Sequence, residues 1–143
     1  EQNLENYQGA IQDFSKAIEL DPNYAKTYFS RGATKLYLGD FREAIEDYTK
    51  AIELNPNYVT AYVERGLAKH KLENYQDAIK DYNKAIELDP NEVFPYIERG
   101  LAKQSLEDLD GACSDWKKAS ELGEGMADDL KGVSDDLINE HCK

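Results

Sequence analysis

Apolar positions along this chain fall into two helical patterns that alternate and recur. In residues 59–92, Tyr62, Arg65, Gly66, Lys69 and Leu72 keep one face of a helix in register. After a short Glu73-Asn74 turn, Tyr75, Ala78, Ile79, Tyr82, Ala85 and Ile86 follow the i, i+3, i+4, i+7 rule of an amphipathic helix. Pro90, following Asp89, closes that second helix, because the residue before a proline disfavours helical geometry. Shifted by thirty-four positions, the same pattern lies on residues 25–58 and on residues 93–126. A constant period of this kind predicts an array of helix pairs, each packed mainly on its neighbours.

The two ends depart from the repeat. Residues 1–24 are its back half, with Leu4, Tyr7, Ala10, Phe14, Ala17 and Pro22 one period ahead of Leu38, Phe41, Ala44, Tyr48, Ala51 and Pro56. Ile11, Phe14 and Ile18 are therefore expected to lack a covering helix, so that this end frays, pairs with another copy or has lost its true start. At the other end Trp116 fills the slot of Phe14, Tyr48 and Tyr82, and Gly123-Glu124-Gly125 replaces the proline turn. Residues 127–143 are predicted to form a capping helix. Its inward stripe is expected at Ala127, Leu130, Val133 and Leu137, with Asp128, Asp129, Asp135, Asp136 and Glu140 outside. Within the pairs, Gly32, Gly66 and Gly100, with Ala44, Ala78 and Ala112, leave room for two helices to approach closely.

The Tyr…Gly…Tyr/Phe…Ala…Tyr/Phe…Ala…Pro spacing on this period resembles the tetratricopeptide repeat. The resemblance covers essentially the whole chain and implies an all-α fold: an α-solenoid of antiparallel helix pairs in a right-handed superhelix, closed by the C-terminal helix. It also implies a concave groove lined by the first helix of each pair. The groove positions are Lys26, Phe29, Ser30, Ala33 and Tyr37, then Thr60, Val63, Glu64, Leu67 and Lys71, then Phe94, Ile97, Glu98, Leu101 and Ser105. Phe29, Val63, Leu67, Phe94, Ile97 and Leu101 make these helices apolar nearly all round, although inter-repeat packing accounts for part of that, most readily for the two leucines. Some family members grip the carboxylate end of acidic chaperone tails with Lys, Asn and Arg. Here Glu64 and Glu98 occupy places where such a clamp wants an amide or a cation, so no clamp is expected. An apolar floor with acidic flanks suits a peptide or helix with hydrophobic anchors and some basic residues.

A second departure from the family pattern is the cations Arg31, Arg65 and Arg99, with Lys35, Lys69 and Lys103 four residues on. That spacing places both on one helical face. Asp13, Asp47, Asp81 and Asp115 recur in the second helices, so an Arg/Lys–Asp ion-pair ladder between helices is expected, with solvated charges as the alternative.

Charge narrows the partners. Acidic residues outnumber basic ones 29 to 17, for a net charge of −12. Such a field repels phosphate backbones and anionic lipid, which argues against nucleic acid and membrane insertion. No apolar run reaches bilayer length and no signal peptide is visible. The chain opens inside a repeat without a methionine, so localisation is weakly constrained, leaning to the cytoplasm.

Catalytic chemistry has little to stand on. Cys113 replaces Ile11, Ile45 and Ile79 and reads as a small core residue. Cys142 comes near it only if the last helix folds back, so two free thiols are expected, with a Cys113–Cys142 disulfide as the alternative in an oxidising compartment. His70 and His141 have no partners at zinc-ligand spacing. Phosphate-cradling loops and nucleophile elbows are absent, and the abundant carboxylates follow from exposed helix faces. The reading is therefore a non-enzymatic interaction scaffold with no cofactor and no metal, binding another protein in its groove. A self-assembling array joined through the uncapped N-terminal end, or an accessory module of a larger protein, are the alternatives.

Overall fold

The computed structural model describes residues 2–124 and 129–143. Among these it contains eight helices and no strand: α1 (Gln2–Leu20), α2 (Ala25–Leu38), α3 (Phe41–Leu54), α4 (Val59–Lys71), α5 (Tyr75–Leu88), α6 (Phe94–Ser105), α7 (Leu109–Gly123) and α8 (Asp129–His141). They form two compact units, residues 1–72 and residues 73–143.

In the first unit α2 packs on α1 and α3, and α4 packs on α3 with an edge against α2. Tyr28, Ala51 and Ala61 form a buried cluster, with Ile18, Phe29, Ile52, Leu54 and Tyr58 packed around it. The Tyr48 ring, wholly buried, lies so near Gly32 that a methyl there would stand 3.1 Å from the ring. The small residue is thus what lets α2 and α3 come together. Of the residues expected to lack cover, Ile11, Phe14 and Ile18 are half-buried.

In the second unit α5, α6, α7 and α8 pack in sequence. Val93, Tyr96, Ile97 and Ala119 form the core, flanked by Ile86, Leu101, Leu122 and Leu137. Trp116 is wholly buried, and its indole Nε1 donates to the Ile97 carbonyl at 3.3 Å.

The connections repeat as faithfully as the helices. Between a second helix and the next first helix, Asp21, Asn55 and Asp89 accept the amide of the residue two further on at 3.1, 3.2 and 3.1 Å, the turn chemistry these side chains favour. Tyr28, Tyr62 and Tyr96 each donate a hydroxyl to the carbonyl of Pro22, Pro56 and Pro90 at 3.0 Å. Within a pair, the tight turn places Gly39, Glu73 and Glu107 at φ 85°, 61° and 65°. Amides of Asp40 and Asp108 reach back to the Lys35 and Lys103 carbonyls at 2.9 Å, closing α2 and α6 with the wrap that a left-handed residue makes possible.

The expected rotation of the last helix is corrected. Leu130 and Val133 are exposed (39 % and 43 %), whereas Ser134 is wholly buried and Leu137 packs on the core. Asp135 does not look outward either, for it accepts from Ser120 Oγ of α7 at 2.6 Å. Close approach of Gly123 to Lys131 and the Trp116–His141 ring contact at 5.8 Å turn α8 about its axis relative to the sequence pattern. Ala127 and Asp128 lie outside the described residues.

Candidate binding surface

Charge on the first helices is tied down by the second. In the first unit, Arg31 Nε and Nη2 donate to Asp47 at 2.9 and 2.7 Å, and Lys35 Nζ lies 2.7 Å from the same carboxylate. In the second, Arg99 meets Asp115 at 2.9 and 2.5 Å, with Lys103 at 2.8 Å. Asp47 and Asp115 are each only 4 % exposed, and a buried carboxylate persists only when its charge is matched. The ladder is therefore ordered in both places, and these four cations are occupied with holding helices together. The pairing also lifts Arg31 above its ordinary value, chiefly through its bonds to Asp47.

Two parts of this device escaped the sequence reading. The remaining nitrogen, Nη1, of Arg31, Arg65 and Arg99 donates backward to Ser15 Oγ, Thr49 Oγ1 and Asn83 Oδ1 at 3.0, 3.1 and 2.8 Å. Each guanidinium also sits over the ring of Tyr28, Tyr62 or Tyr96, at 5.9, 5.6 and 5.5 Å, a cation–π placement. The signal was present in the sequence: a small polar residue recurs at a constant sixteen positions before each arginine.

The groove positions divide by burial. In the first unit Lys26, Tyr37, Thr60 and Lys71 are exposed; Phe29, Ser30, Ala33, Glu64 and Leu67 are half-buried. Val63, at 5 % exposure, belongs to the interior, a correction to its expected place on the groove floor. Phe29 stacks on Tyr58 at 5.0 Å and tilts against Tyr48 at 5.6 Å, leaving part of its ring open. Tyr37, 72 % exposed, meets Tyr7 of α1 at 4.6 Å, and the hydrogen bond between them raises the Tyr7 phenol. In the second unit Phe94, Glu98 and Leu101 are half-buried and Ser105 is exposed. Ile97, at 3 % exposure, is a core residue, again corrected from the floor, and Leu101 leans on the same core. Both corrections have one cause. A first helix packs on two second helices, which consumes more of its circumference than the apolar pattern suggests.

The Tyr48 hydroxyl is buried without a hydrogen bond. Burial drives its phenol far above the ordinary range, with the Glu64 and Asp47 charges adding to it. Burial likewise pushes the Glu64 carboxyl up.

At the far end of the second unit Cys113 and Cys142 are joined by a disulfide with an S–S distance of 2.04 Å. Free thiols were the expected state; the Cα atoms lie 5.7 Å apart because α8 folds back along α7, within the reach a disulfide needs. A shallow depression beside it is lined by Leu109, Asp110, Lys117 and His141. Burial lowers His70. Among the described residues no group of three or more His, Cys, Asp or Glu is placed to hold a metal ion, and no helix is long and apolar enough to cross a membrane.

Comparison with known proteins agrees with this geometry. Residues 25–58 and 59–92 match the family model described as tetratricopeptide repeat, and residues 3–37 match a further TPR repeat model. No curated protein sequence matches the chain. Among solved structures, the crystal structure of MamA superposes with a TM-score of 0.79 over 99 % of this chain and 90 % of its own, at 23 % identity, a likeness of fold. The TPR2B domain of yeast Sti1, solved as a complex with pHsp70, gives 0.78 over 82 % of this chain and 95 % of its own at 28 % identity. The first TPR of Spaghetti (RPAP3), bound to the HSP90 peptide SRMEEVD, gives 0.73 over 83 % and 94 % at 24 % identity.

Proposed function

Since this chain belongs to the tetratricopeptide repeat family, we propose that it is a protein-interaction scaffold that takes a peptide or helical segment of another protein on the face α2 and α4 share. The observation that carries this reading is Phe29. Its ring is held between a tilted Tyr48 and a stacked Tyr58 yet stays half-open. An aromatic held rigidly by others and left open on one side is the kind of anchor point that dominates recognition of peptides. Phe94 gives the second unit an open aromatic of its own.

The partner is one with apolar anchors and some basic character. The half-buried acid Glu64 disfavours an acidic tail of the kind that a structural neighbour, the first TPR of Spaghetti (RPAP3), binds in SRMEEVD. Arg31, Lys35, Arg99 and Lys103 are paired to Asp47 and Asp115, which leaves Lys26 and Lys71 as the cations of the groove positions in the first unit. Nothing in the arrangement calls for catalysis, a cofactor or a metal.

Selection of displayed random dodecapeptides on the intact chain tests this. Enriched peptides should carry aromatic or aliphatic residues with Lys or Arg among them, and Phe29→Ala should weaken them about tenfold or more. Enrichment of acidic tails, or binding indifferent to both Phe29→Ala and Phe94→Ala, overturns it. Light scattering at the same concentrations separates peptide capture from self-association through α1.

A further inference from the structure

On α1, Ala10, Phe14 and Ala17 are half-buried and Asp13 is exposed. One period on, Ala44, Tyr48 and Ala51 are wholly covered and Asp47 is 4 % exposed; three periods on, the same holds for Ala112, Trp116, Ala119 and Asp115. The cover in those two places includes a first helix, α2 on α3 and α6 on α7, and it brings a fixed set of groups. Arg31 and Lys35 close on Asp47, as Arg99 and Lys103 close on Asp115. Gly32 and Gly100 make room for the rings of Tyr48 and Trp116. The apolar residue two places before each arginine lies against the same ring: Phe29 meets Tyr48 at 5.6 Å, and the Ile97 carbonyl accepts from Trp116 Nε1 at 3.3 Å. Asp13 has no cation on it among the described residues, although it shares one helical face with Ala10, Phe14 and Ala17.

The chemistry of this face selects what can cover it. A purely apolar helix would bury Asp13 without a counter-ion, which is costly. A helix with a bulky residue after its cation would meet Phe14 as a methyl at Gly100 would meet Trp116, and overpacking of that kind is not tolerated. Nor does the chain hold a spare helix of the right pattern. Arg31 and Arg99 are bound to the acids of their own pairs and Arg65 donates to Thr49, so a second copy could cover α1 only by uncovering itself.

We propose that the open face of α1 is a docking site for a helix of another protein, one that carries an apolar residue, an Arg-Gly step two places later and a lysine four places after the arginine. The guanidinium supplies two parallel donors to the Asp13 carboxylate and the ammonium a third. The glycine lets the helix settle on Phe14, and the apolar residue closes over the ring. An amphipathic helix laid on an apolar face, with one charged pair fixing its register, is a recurrent mode of recognition. The net charge of −12 draws such a cationic segment in from solution. The site uses none of the residues of the face that α2 and α4 share, so it stands or falls apart from the reading above.

The test uses a labelled peptide with the sequence of α2, residues 25–38, which has Phe, Arg, Gly and Lys in the required order. A lactam between Lys26 and Ser30→Glu holds it helical. Fluorescence polarisation reads its binding to the intact chain and its variants. The peptide should bind, and Asp13→Asn should weaken it about tenfold or more; Asp13 is exposed in the free chain, so the substitution spares the fold. Glu19→Gln, which takes the same charge from another side of α1, should leave binding unchanged. In the peptide, Arg31→Leu should weaken binding as Asp13→Asn does. The two changes together should cost well short of the product of the single losses, because they delete one contact. Gly32→Leu, a better helix former, should abolish binding by collision with Phe14. No binding up to about 1 mM peptide, or binding that ignores both Asp13→Asn and Gly32→Leu, overturns the site. Light scattering on the chain alone gives the last outcome: a dimer that Asp13→Asn dissolves puts a second copy on this face and overturns the choice of a foreign helix.

Discussion

Asp115 receives two nitrogens of Arg99, the residue sixteen positions before it, at 2.9 and 2.5 Å. Lys103 touches the same carboxylate at 2.8 Å. The acid is buried and the guanidinium largely so, at 5 % and 18 % side-chain exposure. Removing one partner from such a pair leaves a charge that water cannot reach, which costs about 3–5 kcal/mol when burial is complete. Arg99→Leu should therefore destabilise the fold by about 2–4 kcal/mol in urea titration, even though leucine suits a family that usually places an apolar residue there. Adding Asp115→Asn to Arg99→Leu should restore part of the loss, because Lys103 alone then no longer has to offset a buried carboxylate. Additive losses in the double variant would show that the pair acts through packing alone.

The helix pairs, their turns and their order were legible because their causes are local and repeated. A Tyr at Tyr62 reaches Pro56, six residues away, and a glycine at Gly100 sits under Trp116 so closely that a methyl there would collide with the indole. Such constraints recur at one period and so rise above the noise of a single sequence. What escaped depended on rotation about a helix axis. Val63 and Ile97 belong to the same apolar stripe as Phe29, and pattern alone does not say which part of a wide stripe a neighbour covers. The last helix turned for the same reason. Ser134 hides its hydroxyl on the Leu130 carbonyl of its own helix and Asp135 accepts from Ser120 of α7, so an apolar tally scores as outward two residues that face in. Cys142 comes within bonding reach of Cys113 because α8 lies back along α7, a packing that spacing alone does not give.

The left-handed turn residues make a prediction of opposite signs. Gly39, Glu73 and Glu107 hold one place in three consecutive turns with φ between 61° and 85°. An L side chain pays about 1 kcal/mol or more to sit there, and glycine does not. Glu73→Gly and Glu107→Gly should each stabilise the chain, by about 0.5–1 kcal/mol once glycine's greater freedom when unfolded is set against the relief. Gly39→Ala should destabilise it by a similar amount. Thermal melts of the three single variants check the signs; a loss on either Glu→Gly change would mean that the carboxylate makes a contact that outweighs the backbone cost.

The disulfide joins residues 29 positions apart, and a covalent loop of that length lowers the entropy of the unfolded chain by the equivalent of about 3–4 kcal/mol. Reduction should therefore lower the melting temperature by about 10 °C. It should also loosen α8 ahead of the rest, since the helix is otherwise held by Ser120–Asp135 and a short apolar seam. Hydrogen exchange should show faster exchange in α8 after reduction, with α2 and α3 unchanged. The double substitution Cys113→Ser with Cys142→Ser should reproduce this without reductant, which separates loss of the bond from reductant effects. Equal protection of α8 in both states would place the stability of that helix in its packing.

Glu64 gives the chain a pH dependence whose sign follows from burial. Its carboxyl is raised from the ordinary 4.5, so the folded chain holds that proton more tightly than the unfolded chain does. Within the window from about 4.5 up to the raised value, folding takes up a proton, and stability contributed by this site falls as pH rises. Above the window the full cost of the desolvated charge is present; below it the cost is absent in both states. Glu64→Gln removes the charge while keeping the shape, so it should raise the melting temperature of the free protein at pH 7. That advantage should shrink as pH drops through the raised value and vanish beneath 4.5. Melts of both proteins from pH 4 to pH 8 decide it. A constant difference across that range would mean that the substitution acts through a contact of the amide rather than through the loss of the charge.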